Sequence, residues 1–334
     1  MPLPKAELHL HIEGTLEPGL AFALAARNGV ELPFKDAEEL RHAYHFEDLQ
    51  SFLDLYYRLM AVLHTEDDFA ELADAYLARA AAQGVRHAEI FFDPQAHTSR
   101  GVPLATVVEG LGRALDTSEE RHGVSTRLIM CFLRDESAAS AMETLLAAKP
   151  YLHRIAGVGL DSAEAGHPPA KFREVYEVAA ELGLRRVAHA GEEGPPAYIS
   201  EALDVLGVER VDHGLRCMED PELVERLVRD RVPLTLCPLS NVRLRAVRTL
   251  EEHPLPAMMD AGLMCTVNSD DPSYFGGYAG DNFDAVQRAL GVGEERLREL
   301  ARNSFLASFL EDDEERRALL IAEVDAYDFG ADRA

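Results

Sequence analysis

His9 and His11, in the run AELHLHIEG, are separated by one residue, so in an extended strand both imidazoles leave the same face. Three further segments end a β-rich run in groups able to bind metal or move protons. VAHAGEE carries His189 and Glu192, VDHG carries His213, and VNSDDP carries Asp270 and Asp271. Three imidazoles and a carboxylate from separate strand ends make a nitrogen-rich, oxygen-completed set that suits a divalent transition ion, zinc above all. The chemistry of such a set is metal-assisted hydrolysis, with a further carboxyl or imidazole group as acid or base.

Each feature alone has a plainer explanation. A histidine pair two residues apart is often structural, and His189 alone reads as a hydrogen-bonded core histidine. Asp270-Asp271-Pro272 alone reads as a turn or helix cap, and Glu192-Glu193 as a solvated acidic loop. Core packing gives no reason for such groups to recur at strand C-termini, and this joint pattern carries the metal reading. Two-metal barrels use a modified lysine at the end of strand four. Here that strand ends GVGLDSAEAG, with no lysine before Lys171, so one metal is expected. Cys131, Cys217, Cys237 and Cys265 are scattered, and small buried hydrophobes are the better reading. His97, in FFDPQAHTSRG, reads equally as a pocket residue or a loop residue.

These groups need a scaffold that gathers strand ends. Short apolar runs recur at Ala6–Ile12, Arg86–Phe92, Thr126–Leu133, Ile155–Asp161, Arg185–Ala190, Val211–His213, Val232–Cys237 and Met264–Ser269. Helical spacing appears at Phe46–His64, Asp67–Ala82, Val107–His122, Pro169–Leu182, Pro221–Asp230 and Leu297–Leu310. Eight strands alternating with helices predict a (β/α)8 TIM-type barrel whose function sits at the strand C-termini. A doubly wound open sheet would want a glycine-rich turn after its first strand, where this chain has histidines.

Residues 1–334 are expected to form a single barrel domain, with 36–83 a candidate helical cap over its mouth. EDDEERRALLIAEVDAY should form a last amphipathic helix, and the tail FGADRA should be loose. The charge is −26, from 33 basic and 59 acidic residues, which disfavours nucleic-acid and anionic-membrane partners. Few, irregular cysteines, no signal-like N-terminus and no apolar run of about 20 residues predict a reduced, soluble, cytoplasmic protein. Oligomeric state is not legible.

Taken in order, PKAELHLHIEGTL, AHAGE, VDHG, TLCPLSN and NSDDP resemble the adenosine/adenine deaminases of the amidohydrolase superfamily over essentially the whole chain. The resemblance implies His9, His11, His189 and Asp270 as ligands of one zinc ion. It implies Glu192 as the acid that protonates N1 of a purine, His213 as the group that activates or orients the water, and Asp271 as an acceptor at N7. Nucleoside-accepting members show D-L-A-G after strand four and aspartate after the first metal motif. Here those places hold Glu164 and Glu13, larger acids expected to crowd a ribose and to meet the base edge. The strings IEGTLEP, GLDSAEAGHPPAKF and NSDDPSYFGGY look like the adenine deaminase branch. The expected reaction is therefore adenine to hypoxanthine and ammonia, in purine salvage. The alternatives are an adenosine or other adenine-nucleoside substrate, such as aminodeoxyfutalosine, and a non-catalytic barrel that only binds.

Overall fold

The strands are short because each is buried on both faces and ends where a polar group must turn toward a common mouth. In the computed structural model, which describes residues 2–310 and 313–330, they are β1 (Lys5–His11), β2 (Val85–Phe92), β3 (Ser125–Leu133) and β4 (Ile155–Asp161). β5 (Arg185–Ala190), β6 (Arg210–His213), β7 (Pro233–Leu236) and β8 (Met264–Val267) complete the set. All pair in parallel, in chain order from β1 to β8.

The seam between last and first strands closes just beyond β8. His11 N donates to Asp270 O at 3.0 Å, and Asp270 N donates to His9 O at 3.1 Å. The result is a (β/α)8 barrel. Between β4 and β5 the ladder covers only Gly157–Arg185 and Val158–Arg186. Above it the buried Arg134 side chain bridges the gap, donating to His189 O at 2.7 Å and His167 O at 3.0 Å.

Alternation sorts β1. Ala6, Leu8 and Leu10 belong to the large apolar core, whereas His9 and His11 face the interior at the mouth. Phe91, Ile129, Cys131, Val187 and Phe309 form a separate small cluster, and the Phe91 ring lies 5.1 Å from that of His9. Apolar side chains thus pack against one side of the site's floor. All four cysteines are free and buried.

Helix starts follow the expected chemistry. Asp220 caps Pro221–Asp230 by accepting from the Glu222 and Leu223 amides. The Phe46–His64 run becomes the helix Leu49–Leu59, entered through a capping box at Asp48, and a short 3-10 turn. Val107–His122 divides into the helices Leu104–Leu115 and Ser118–His122. Within 36–83, Leu49–Leu59 lies at the barrel mouth, whereas Glu66–Ala82 packs outside against the Leu104–Leu115 helix and β2. The last amphipathic run is helical at Glu314–Ala326, and residues 331–334 of the tail lie outside the described residues. No described helix is long and apolar enough to cross a membrane.

Candidate active site

β1 delivers His9 and His11, β5 delivers His189, and the turn after β8 delivers Asp270. One ligand atom from each lies within 4.8 Å of all the others, and all four residues are buried. His11 Nε2 faces His189 Nε2 at 3.2 Å. His9 Nε2, otherwise without a hydrogen-bond partner, lies 3.2 Å from Asp270 Oδ1. Burial holds His11 at about 3 and His189 well below the usual imidazole value, so both are neutral and carry lone pairs. Neutral Nε2 atoms converging on one point with a carboxylate are what a zinc ion requires, so these residues fit the metal.

The groups behind the ligands support the same geometry. His9 Nδ1 lies 2.9 Å from Thr235 Oγ1, whose hydroxyl donates to Asp212 Oδ1 at 2.8 Å. Asp212 Oδ2 stands 3.9 Å from His189 Nδ1, Asp161 Oδ2 3.5 Å from His11 Nδ1, and Ser240 Oγ donates to Asp270 Oδ2 at 2.6 Å. The hydrogen bond at His9 Nδ1 leaves its Nε2 free to ligate, and the carboxylates of Asp161 and Asp212 stand beside the Nδ1 atoms of His11 and His189 beyond hydrogen-bond distance. Burial opposes ionisation of Asp270, but His9 and His213 hold it well below the usual carboxylate range.

His213 and Glu192 stand beside this cluster. His213 Nε2 is 3.5 Å from Glu192 Oε2 and 3.8 Å from Asp270 Oδ2. Burial, then the charges of Asp270 and Glu164, push the Glu192 carboxyl well above its ordinary value, so it carries a proton to give. His213 (φ 63°) and Asp270 (φ 63°) both adopt left-handed backbone, uncommon for residues with a side chain and concentrated at functional sites.

A narrow cavity of about 40 Å³ opens against these groups. His11, His189, Glu192, His213, Asp270 and Asp271 line it, with Asp93, Asp161 and Ser162. Leu49, Phe52, Leu53, Tyr56 and Tyr57 of the mouth helix supply an apolar and aromatic wall. Gly14 is required here, because a Cβ on it would lie 2.0 Å from Asp271 Oδ1. A wider depression, beside Arg154 and Arg185 at the other end of the barrel, holds none of these groups.

Two expected substrate contacts are elsewhere. Glu164 is absent from the cavity wall. Its carboxylate accepts four consecutive backbone N–H groups, Gly191 at 2.7 Å, Glu192 at 3.0 Å, Glu193 at 2.8 Å and Gly194 at 2.9 Å. It therefore holds the turn that carries Glu192. Glu13 also lies behind the wall. Its Oε1 accepts from Asp93 N at 3.1 Å and pairs with His97 Nε2 at 2.8 Å, which places His97 there as well. Neither acid is positioned to crowd a ribose directly.

Asp93 and Asp161 were not singled out from the sequence, although both close strands that were. The signal was their place, Asp161 as the last residue of β4 and Asp93 as the residue just after β2, the same strand-end signal that marked His213. Asp161 Oδ1 and Oδ2 and Asp93 Oδ1 are buried and without a hydrogen-bond donor. Burial and mutual repulsion raise Asp161 well above the carboxylate range, while burial and the Glu13 charge raise Asp93 to about 7.

Fold and site together define a hydrolase barrel of the amidohydrolase type, with a candidate metal-binding cluster at the strand ends and an acid and an imidazole beside it. The profile of the adenosine deaminase family matches residues 4–327, and the chain belongs to that family. It is 81% identical, over 99% of its length and 97% of the relative's, to an adenine deaminase of Streptomyces coelicolor. The crystal structure of adenine deaminase from Arthrobacter aurescens superposes with a TM-score of 0.95 at 62% identity, covering 97% of this chain and 98% of that one. An amidohydrolase from Burkholderia ambifaria with bound zinc superposes with a TM-score of 0.88 at 30% identity, over 97% and 91% of the two chains.

Proposed function

We propose that this enzyme hydrolyses adenine to hypoxanthine and ammonia in purine salvage, in the cytoplasm, with one zinc ion held by His9, His11, His189 and Asp270. The observation that carries the reading is Glu192 and His213 standing 3.5 Å apart beside that four-residue cluster, with burial favouring the protonated form of Glu192. The adenine deaminases of high identity support it.

Zinc at this cluster would supply the Lewis acidity that makes hydroxide available near neutral pH. Adding a water oxygen at C6 breaks ring conjugation and builds charge on N1, which the Glu192 proton neutralises. His213 and Asp270, 3.8 Å apart, flank the oxygen as it adds, and its proton can pass by way of Asp270 to the departing nitrogen. Ammonia then leaves C6 and hypoxanthine remains. Asp271, whose carboxyl is pushed well above its usual range by burial and the Asp270 charge, would contact the ring at N7.

The Asp93–Asp161 pair supports a free base over a nucleoside. Burial and mutual repulsion favour a proton on this pair of buried carboxyl groups, which then presents one donor and bare acceptor oxygens. Free adenine offers an acceptor at N3 beside a donor at N9–H, whereas a sugar replaces that hydrogen. The deciding experiment follows adenine and adenosine turnover by absorbance on protein of measured metal content. Adenine turnover with one zinc per chain and little adenosine turnover is expected. A large preference for adenosine would overturn the substrate assignment.

A further inference from the structure

We infer that Asn241 is a positioning residue that fixes which nitrogen of His213 and which oxygen of Glu192 carries a proton, with its own amide oriented from behind by His253. The argument starts from a backbone group that cannot turn over. Leu255 N approaches His253 Nδ1 at 3.1 Å, and a backbone N–H only donates. Nδ1 is therefore the lone-pair nitrogen of His253 and Nε2 carries its hydrogen. Burial lowers His253 to about 4, so the ring is neutral and has a single N–H.

His253 Nε2 lies 3.2 Å from Asn241 Oδ1, which accepts that hydrogen. The opposite amide orientation would place two donors on a neutral imidazole with one lone pair, and is excluded. Asn241 therefore turns its NH2 group toward the reacting residues, 3.2 Å from His213 Nδ1 and 3.3 Å from Glu192 Oε1. It has one hydrogen for each. His213 must keep its lone pair at Nδ1 and its hydrogen at Nε2, the nitrogen that faces Glu192 Oε2 and Asp270 Oδ2. Glu192 must hold its acid proton on Oε2, because Oε1 is already accepting. His213, Asn241 and His253 are buried, so bulk water does not supply substitutes for these bonds.

Under the deaminase reading, on which this inference rests, His213 donates to the oxygen at C6 and does not take its proton. Neither Asn241 nor His253 is among the metal-binding cluster or the cavity lining.

Asn241→Asp tests this with almost no change of shape, since a carboxylate still accepts from His253 but cannot donate to His213. In holoenzyme labelled with 15N-histidine, His213, assigned by its absence from His213→Gln, should show its hydrogen on Nε2. In Asn241→Asp it should move to Nδ1. With adenine, kcat should fall about 10²–10⁴-fold, as for other wrong-tautomer catalytic histidines, with KM changed less than about threefold and zinc content retained. His253→Gln, which can still donate to Oδ1, should retain most activity. His253→Phe, which frees the amide to turn, should lose it, and carries the test if Asn241→Asp does not fold. An unmoved His213 nitrogen pattern, or an unchanged kcat, overturns the inference. A wild-type enzyme inactive on adenine but with His213 protonated at Nε2 would sink the substrate reading and leave the tautomer assignment standing.

Discussion

Glu164→Gln isolates the contribution of the carboxylate that collects the amides of residues 191–194. Glu164 Oε2 serves three of them and Oε1 the fourth, Gly191. In the variant the remaining oxygen can keep the three, but the new NH2 group confronts the Gly191 N–H, donor against donor. One charge-assisted bond, about 1.5–3 kcal/mol, is lost, and the other three weaken to neutral ones. Relief of the buried charge offsets part of this, leaving a destabilisation of about 3 kcal/mol. At about 2.1 cal/mol/K per residue, a chain of 334 residues unfolds with about 0.7 kcal/mol/K, so Tm should drop by about 4 °C. Activity should suffer more than stability. The Glu192 amide is one of the four held, so its carboxyl should lose its aim, and kcat should fall about 10–100-fold with a smaller change in KM. Calorimetry and steady-state turnover read the two effects. A Tm within 1 °C of wild type, or a kcat within a factor of two, would refute the claim that this carboxylate organises the turn.

Three further outcomes are expected. 9-Methyladenine, which lacks the N9 hydrogen, should be turned over at least about 100-fold less efficiently than adenine, and Asp161→Asn should narrow that ratio; equal turnover in the wild type would remove the Asp93–Asp161 pair from base recognition. His9→Ala and His189→Ala should lose zinc by elemental analysis, whereas Glu192→Gln should keep it and lose turnover; metal loss from Glu192→Gln would mean that ligand and acid have been confused. Burial raises Glu13 to about 7 from an ordinary value of 4.5, so the native state holds a proton that the unfolded chain releases first. Its contribution is full below about pH 4.5 and is lost as pH rises through 7, so Tm should decline across that window. Glu13→Gln should decline less steeply, and parallel slopes would remove Glu13 as the cause.

The barrel and the four proposed ligands were legible because both obey local rules. Strand periodicity placed β4 and β5 at the residues observed, and strand-end position selected His189, His213 and Asp270 from the polar residues nearby. Glu13 and Glu164 were misplaced because side-chain direction at a turn depends on tertiary partners. Glu164 points at amides 27 to 30 residues further along, and no sequence period reports such a contact. Asn241 and His253 were invisible for a related reason. They act through other side chains, and TLCPLSN signals a turn after a strand equally well whether or not its asparagine faces an imidazole. The division of Val107–His122 into two helices was likewise missed, since both halves keep apolar residues at helical spacing.

The seam that closes the barrel has a consequence for how the protein is made. Its two backbone bonds join residues 9 and 11 to residue 270, three of the same residues whose side chains form the candidate metal-binding cluster. A growing chain therefore carries His9 and His11 for most of its synthesis without the other half of their site. Until residue 270 leaves the ribosome and the last strand docks, the two histidines can offer an ion only a partial grip. Under the proposed zinc site, metal uptake would be tied to barrel closure, and a truncated or misfolded chain would have no complete site with which to withdraw zinc from the cell.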